Sequence, residues 1–466
     1  MQDLTRGSIA GHLLKTTSFM LVTMVFQTLY FLVDLFWVGR LGKEAVAGVG
    51  VAGNVMFIVL ALTQMIGVGT TTLISHAAGS KDHDRALLVF NQALVFSAAA
   101  GAAFFALAMA LRGAYATGLG ADAATARLAA EYLLWFIPAM ALQFPMIVMA
   151  SSLRGTGNFQ PGMVVQTATV ILNLVLAPVL IFGWGTGRPM GVAGAALATL
   201  IAVAVGTAWF TLYFRPRGAY LRFVPADWKP KLELWGHIFR IGLPSGAEFA
   251  LLGVYLLFIY VIARPFGAAA QAGFGIGMRL LQAGFMPMVA LGIAVAPVAG
   301  QNFGARQGAR VTETFRTAMT WALVGMSLFV VLCQVAPAAM IRIFSNDPHV
   351  IEVGVEYLRI ISWSFIGSGI VFVSSSMFQA MGNTVPSLVA SATRIVIVVV
   401  PALVLARMPG FSLRTLWLIA AGSIGIQTVV SLVLLRREFS RRLAFVPEPA
   451  GAPAASETVV LGTPDA

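Results

Sequence analysis

Charge is what this sequence has least of. Asp, Glu, Lys and Arg make up only 10% of its 466 residues, hydrophobic residues make up 59%, and the mean hydropathy is +0.87. A soluble domain carries about a quarter charged residues, so there is too little polar surface here to cover a water-exposed globule. Cysteine is nearly absent as well. Cys333 stands alone in an apolar run, which excludes a disulfide within the chain and a thiolate metal cluster. The N-terminal stretch MQDLTRGSIAGHLLK lacks a short apolar core followed by a small-residue cleavage site, so no cleavable signal is expected.

What the chain has instead is apolar runs of about 20 residues, each long enough to cross a bilayer as a helix. Twelve spans are expected, at roughly 13–38, 46–75, 86–111, 128–153, 160–183, 190–214, 236–263, 269–300, 315–340, 355–381, 386–406 and 414–435. The reading is an all-α polytopic membrane protein seated in the lipid bilayer. Its net charge of +12 would suggest nucleic acid on a soluble protein. Basic residues accumulate in the cytoplasmic loops of any membrane protein, so no nucleic-acid partner is expected. With both termini inside, the 30 Lys and Arg divide 18 to 10 in favour of the cytoplasmic side, and Arg279 and Arg394 fall within spans.

A repeat organises the spans. Adding 225 to a residue number often lands on the same residue type: Tyr30 on Tyr255, Gly42 on Gly267, Gly67 on Gly292, Gly79 on Gly304 and Arg85 on Arg310. The tripeptide EYL at 131–133 returns at 356–358, and Gly157, Asn158 and Pro161 return as Gly382, Asn383 and Pro386. Six spans separate the copies, an even number, so the halves are parallel repeats about an axis along the membrane normal. The expected divisions are a first six-helix lobe (1–217), a cytoplasmic linker (218–235), a second lobe (236–440) and a disordered cytoplasmic tail (441–466) rich in Pro, Ala and Ser.

The chain resembles the multidrug and toxic compound extrusion family of transporters, bacterial type. The residues that carry the resemblance are LYFLVDLFWVGRLG in span 1, SSLRGTGNFQP before span 5 and NLVLAPVLIFG with GVAGAALAT across spans 5 and 6. GLPSGAEFALLG in span 7 and FQAMGNTVP before span 11 are the second-half equivalents. It extends from about residue 10 to 440. The resemblance implies a secondary antiporter of the inner (cytoplasmic) membrane, a monomer without enzymatic activity or cofactor. Such a protein exports cationic, amphipathic organic compounds in exchange for protons or sodium ions by rocking one lobe against the other.

Asp34 is the leading functional residue, because an ionisable group within a span is costly unless it is used. The plainer alternative pairs it with Arg40. Its repeat position in the second half is Ile259, so the carboxylate belongs to one lobe only. At ~1.5 Å rise per residue, Asp34 lies roughly 9 Å below the outer end of span 1, and Tyr30, Asn173 and Thr199 lie roughly 13–15 Å deep. The family's cation site uses a carboxylate, a tyrosine one turn earlier, and Asn and Thr on spans 5 and 6, which these four residues match. A second aspartate common in the family is replaced here by Ala177. Sodium wants several oxygens where a proton needs one carboxylate, so proton coupling is the expectation and Na⁺ at Asp34 the alternative. Phe19 also stands where many relatives carry a proline, so no kink is expected there.

In the second lobe Glu248, Arg394 and Arg279 are the candidate contacts. The plainer reading is a buried Glu248–Arg394 pair, and the sharper one turns Glu248 towards a cavity. Glu131 and Glu356, duplicated, suit helix N-termini. His76 and His83 suit a solvated loop. The rival function is a lipid-linked precursor flippase of the same fold, which would want several unpaired basic residues in the cavity.

Overall fold

The computed structural model describes residues 1–444 apart from 186, 217, 406, 407, 409 and 410, and apart from the side chains at 31, 249, 256, 257, 260, 261, 263, 264, 268 and 269. No strand occurs among the described residues. Six long helices form the first half: α1 (Ile9–Gly39), α2 (Lys43–Gly79), α3 (His83–Leu119), α4 (Ala123–Gly155), α5 (Phe159–Phe182) and α6 (Gly191–Phe214). The second half contains α7 (Leu232–Ala263), α8 (Ala268–Gly304), α9 (Gly308–Val335), α10 (Pro337–Arg342), α11 (Pro348–Ile361), α12 (Ser364–Ala380), α13 (Val385–Leu405) and α14 (Leu413–Arg442). Ten of these are long and apolar enough to cross a membrane, and α11 with α12 makes an eleventh. α7, 32 residues long, holds the place of α1 in the repeat. The expected tail falls outside the described residues from 445 onward, as does residue 217, the expected end of the first lobe.

The repeat is visible in the backbone. Shifting α2 (Lys43–Gly79) by 225 residues gives the bounds of α8, and the starts of α3 and α4 land on those of α9 and α11. Unusual backbone positions repeat with them. Gly157 (φ 76) answers Gly382 (φ 74), and Lys81 (φ 63) answers Arg306 (φ 57), both non-glycine residues in the left-handed region. Asp122 and Asp347 are the matched N-caps of α4 and α11, accepting from the Thr125 and His349 backbone N–H groups. The duplicated glutamates Glu131 and Glu356 do not take the helix N-terminal place expected of them from the sequence. Glu131 lies well inside α4 in an exposed pair with Arg127 at 3.6 Å, because the aspartates start these helices earlier than the apolar pattern does.

Two spans depart from single straight helices. Pro337 lacks an N–H and ends α9, so the expected span 315–340 is split between α9 and α10. The span expected at 355–381 is bent by 52° between α11 and α12. There Gln334 Nε2 donates to the Arg359 carbonyl at 2.8 Å and to Ser362 Oγ at 2.9 Å, so a side chain takes over part of the helical ladder.

The lobes meet where α2 and α8 end. A Cβ on Gly79 would stand 1.9 Å from the Gln301 carbonyl oxygen, and one on Gly304 would stand 2.2 Å from that of His76. Only glycine permits this approach. Two equivalent hydrogen bonds close the same end: His76 Nε2 bonds the Ala380 carbonyl at 2.6 Å, and Gln301 Nε2 donates to the Gly155 carbonyl at 3.0 Å. His76 and Gln301 are 225 residues apart, and so are Gly155 and Ala380. Each side chain thus satisfies the last carbonyls of a helix in the opposite lobe. The solvated role expected of His76 and His83 is not what forms, because both imidazoles find carbonyls; His83 Nε2 bonds that of Tyr220 at 2.6 Å.

The chain segments at this end also cross between lobes. Leu4, Ile9 and Leu13 are fully buried in the second-lobe core, and Ile238 is fully buried in the first-lobe core. The linker is held to α3 by two amides. Asn91 Oδ1 accepts from the Val224 N–H and Trp228 Nε1, and Gln92 Oε1 accepts from the Lys231 N–H and Trp235 Nε1. Away from these contacts large apolar side chains face outward, as Leu29, Leu32, Leu35 and Phe36 do on α1, where a bilayer would cover them.

Candidate functional site

The first-lobe cluster forms where α1, α5 and α6 pack together. Thr199 on α6 is its hub: the Tyr30 hydroxyl lies 3.1 Å from Thr199 Oγ1, and Asn173 Nδ2 donates to the same oxygen at 3.1 Å. Asn173 and Thr199 are buried. Asp34 stands one turn beyond Tyr30, with its Oδ1 shielded from solvent and without a hydrogen-bond partner; Asn173 Oδ1 is in the same condition. A buried polar atom without a partner is rare in a folded protein and marks a place where something else completes the set. Arg40 does not supply it, because its guanidinium carbon sits 4.7 Å from the Phe36 ring centroid and 5.3 Å from that of Trp37. Ala177, where a second acid was wanting, is buried among apolar residues. Tyr132 on α4, unremarked in the sequence, lies close enough to Asp34 and Tyr30 to interact with both electrostatically.

The second feature is a cavity of about 610 Å³ between the lobes. Met20, Met24, Phe285 and Phe372 give it apolar walls, and a ring of glutamines including Gln27, Gln64, Gln143 and Gln166 faces it. That volume and that mixture of apolar wall with few polar anchors suit a drug-sized molecule. Glu248 on α7 and Arg394 on α13 both line it. The buried Glu248–Arg394 pair does not form among the described residues. Ser387 and Ser391 donate to Glu248 Oε1, the latter at 3.1 Å, and Ser375 donates to Oε2 at 3.4 Å. These three hydroxyls occupy the carboxylate, and Arg394 turns instead to the Tyr255 ring, 4.5 Å from its guanidinium carbon. Arg279 is not part of this wall. It lies on an exposed stripe of α8 with Ala272, Gln282 and Ala283, opposite the face that Phe274 and Leu281 bury.

The serines escaped sequence reading because they come from two other helices, α12 and α13, and depth alone does not give the angle at which a side chain points. Tyr255 was detectable as the repeat partner of Tyr30. Arg154, which a charge count places in a cytoplasmic loop, is another cavity residue, its Nη2 donating to Ser151 Oγ at 2.6 Å.

Two parallel six-helix lobes, an internal cavity between them and an orphaned carboxylate inside one lobe define a two-lobed multi-pass membrane transporter. The sequence profile of the MatE family matches residues 20–179 and 244–404, one copy in each half, and the chain belongs to that family. It is 25% identical over 365 residues to the multidrug export protein MepA of Staphylococcus haemolyticus (strain JCSC1435), spanning 78% of this chain and 80% of that one. It is 26% identical over 375 residues to MepA of Staphylococcus aureus (strain MRSA252), with the same coverage of each chain. A solved structure described as the outward-facing conformation of a multidrug resistance MATE family transporter aligns with TM-score 0.87 at 25% identity, covering 95% of this chain and 98% of that one. A MATE structure in a bent conformation aligns with TM-score 0.88 at 25% identity, covering 94% and 97%.

Proposed function

We propose that this protein is a secondary antiporter of the cytoplasmic membrane, exporting cationic, amphipathic organic compounds in exchange for protons, with Asp34 as the proton-carrying group. The observation that carries the reading is the orphaned Asp34 Oδ1, one acid in a cluster of hydroxyl and amide groups. A proton neutralises that buried charge without further ligands, and release of the proton restores it, so the cluster has two states of different polarity. The relatives named for multidrug export supply the direction of transport, and the cavity supplies room for a drug-sized cargo. Glu248 would face the cation, and both termini would lie in the cytoplasm, as the basic residues favour. Contacts at the closed end fit a state open to the outside, which release of the His76 and Gln301 bonds would convert to one open inward.

The second orphaned oxygen, on Asn173, favours sodium as the alternative coupling ion. Proteoliposomes separate the two. With sodium absent, an imposed proton gradient is expected to drive uptake of ethidium against its concentration gradient. Transport that ignores the proton gradient and follows a sodium gradient would establish the alternative; transport driven by neither would overturn the antiport reading.

A further inference from the structure

We propose that the N-terminal arm, residues 2–7, is a latch between the lobes: it is moored in the second lobe, reaches across to the first, and sets how readily the two part at this end. The inference rests on the reading above that this end opens and closes, and it is independent of the coupling ion. The mooring uses both core and backbone. Leu4 is fully buried and Thr5 nearly so. The Leu4 N–H donates to Gln301 Oε1 at 3.0 Å, and the Leu4 carbonyl accepts from Asn302 Nδ2 at 3.1 Å. Arg310 holds the turn that follows. Its Nη2 donates to the Gly7 carbonyl at 3.0 Å and its Nε to Asn302 Oδ1 at 2.8 Å, so one guanidinium braces the arm and the amide that grips it.

The tip of the arm reaches the other way. The Gln2 N–H donates to the carbonyl of Thr156, the C-cap of α4, at 3.0 Å. The Gln2 carbonyl lies so close to Gly157 that a Cβ there would stand 2.7 Å from it. Gln301 is the shared joint, because its Oε1 holds Leu4 while its Nε2 donates to the Gly155 carbonyl. Parting the lobes here must break the tip's bond along with the others, or draw Leu4 out of an apolar core. The repeat shows which half of this is special. Met381 is the counterpart of Thr156, and its carbonyl accepts from Arg442 Nη1 at 2.9 Å. Arg442 belongs to α14, in the same half as Met381, so that bond does not cross between lobes. The same helix-end carbonyl is satisfied from within in the second lobe and from across the interface in the first. The arm therefore stabilises the closed arrangement alone and shifts the balance of states towards it.

Spin labels at Asp84→Cys and Ala309→Cys test this. The two sites are exposed repeat partners at the starts of α3 and α9, one in each lobe. With Cys333→Ala as background, double electron–electron resonance on the protein in nanodiscs reads their separation, first without substrate and then with saturating ethidium. Removing residues 2–7 is expected to raise the ratio of long to short distances about tenfold, and Arg310→Ala, which leaves Leu4 in place, about threefold. Arg442→Ala bares the equivalent carbonyl of the second lobe and should leave the ratio at its wild-type value. An unchanged ratio in both arm variants would overturn the latch, and so would an equal rise in Arg442→Ala; should the shortened protein fail to fold, Arg310→Ala decides alone. In those cases the opening and closing of this end still stands, since the wild type shows both distances. One short distance in every variant, with and without ethidium, would overturn both.

Discussion

Tyr30 and Tyr255 hold the same place in the two halves, yet their surroundings have opposite chemistry. One turn past Tyr30 stands Asp34, and one turn past Tyr255 stands Ile259. Asn173 and Thr199, which gather at Tyr30, answer to Val398 and Ile424, both buried in the second lobe. In exchange the second lobe places Arg394 on its tyrosine where the first lobe has Thr169, and Glu248 where the first has Thr23. Duplication has kept the scaffold and divided the polar work. The first lobe collects oxygens inside its own helix packing, away from the cavity wall. The second lobe turns its charges into the cavity. Ion handling and cargo handling can then sit in different bodies and be coupled through the lobes' movement against each other.

The comparison can be broken at the point the two lobes share. Gly79→Ala puts a methyl group where the Gln301 carbonyl lies, so this contact between the lobes cannot close; dye transport in proteoliposomes should fall more than about tenfold, with the protein still folded. Wild-type rates in this variant would show that the contact is dispensable. Next, Glu248→Gln removes the second lobe's cavity carboxylate and should weaken ethidium binding about tenfold by fluorescence titration, while leaving proton release from the first lobe intact. The tyrosines sharpen the contrast. Tyr30→Phe loses the bond to Thr199, worth about 0.5–1.5 kcal/mol, and should lower coupled transport roughly three- to tenfold. Tyr255→Phe keeps the ring under Arg394 and should change little.

The smallest effect is one of acid. Asp3 starts the segment that docks on the second lobe, and the Thr5 hydroxyl at 2.6 Å holds its carboxyl below the ordinary carboxylate range. A depressed value stabilises the folded arm above the unfolded value near pH 4, and that contribution is lost as pH falls through the lower folded value. Amide protection at residues 2–8, taken relative to the intrinsic exchange rate at each pH, should therefore be steady at neutral pH and fall only below about pH 4.

Much of the architecture could be read in advance because membrane spans depend on length and apolarity, and because one constant offset ties Tyr30 to Tyr255 and Gly79 to Gly304. Helix rise also put Tyr30, Asn173 and Thr199 at compatible depths, and they meet within hydrogen-bond distance. What rise cannot supply is the facing of a side chain. Helix rise suggested a common depth for Glu248 and Arg394 and hence a pair, but serines from α12 and from α13 itself engage the carboxylate, and Arg394 turns to Tyr255. Nor does hydropathy reveal where helix ends are satisfied. His76 looks like a loop residue until the free carbonyl of Ala380 arrives from the opposite lobe.

Asp34, the acid of the first-lobe cluster, is proposed to carry the coupling proton. Measuring proton release from the purified protein on addition of a cationic substrate, in wild type, Asp34→Asn and Glu248→Gln, addresses it directly. Release is expected in the wild type and in Glu248→Gln at saturating substrate, and none in Asp34→Asn, which still binds the dye. Undiminished release from Asp34→Asn would contradict it.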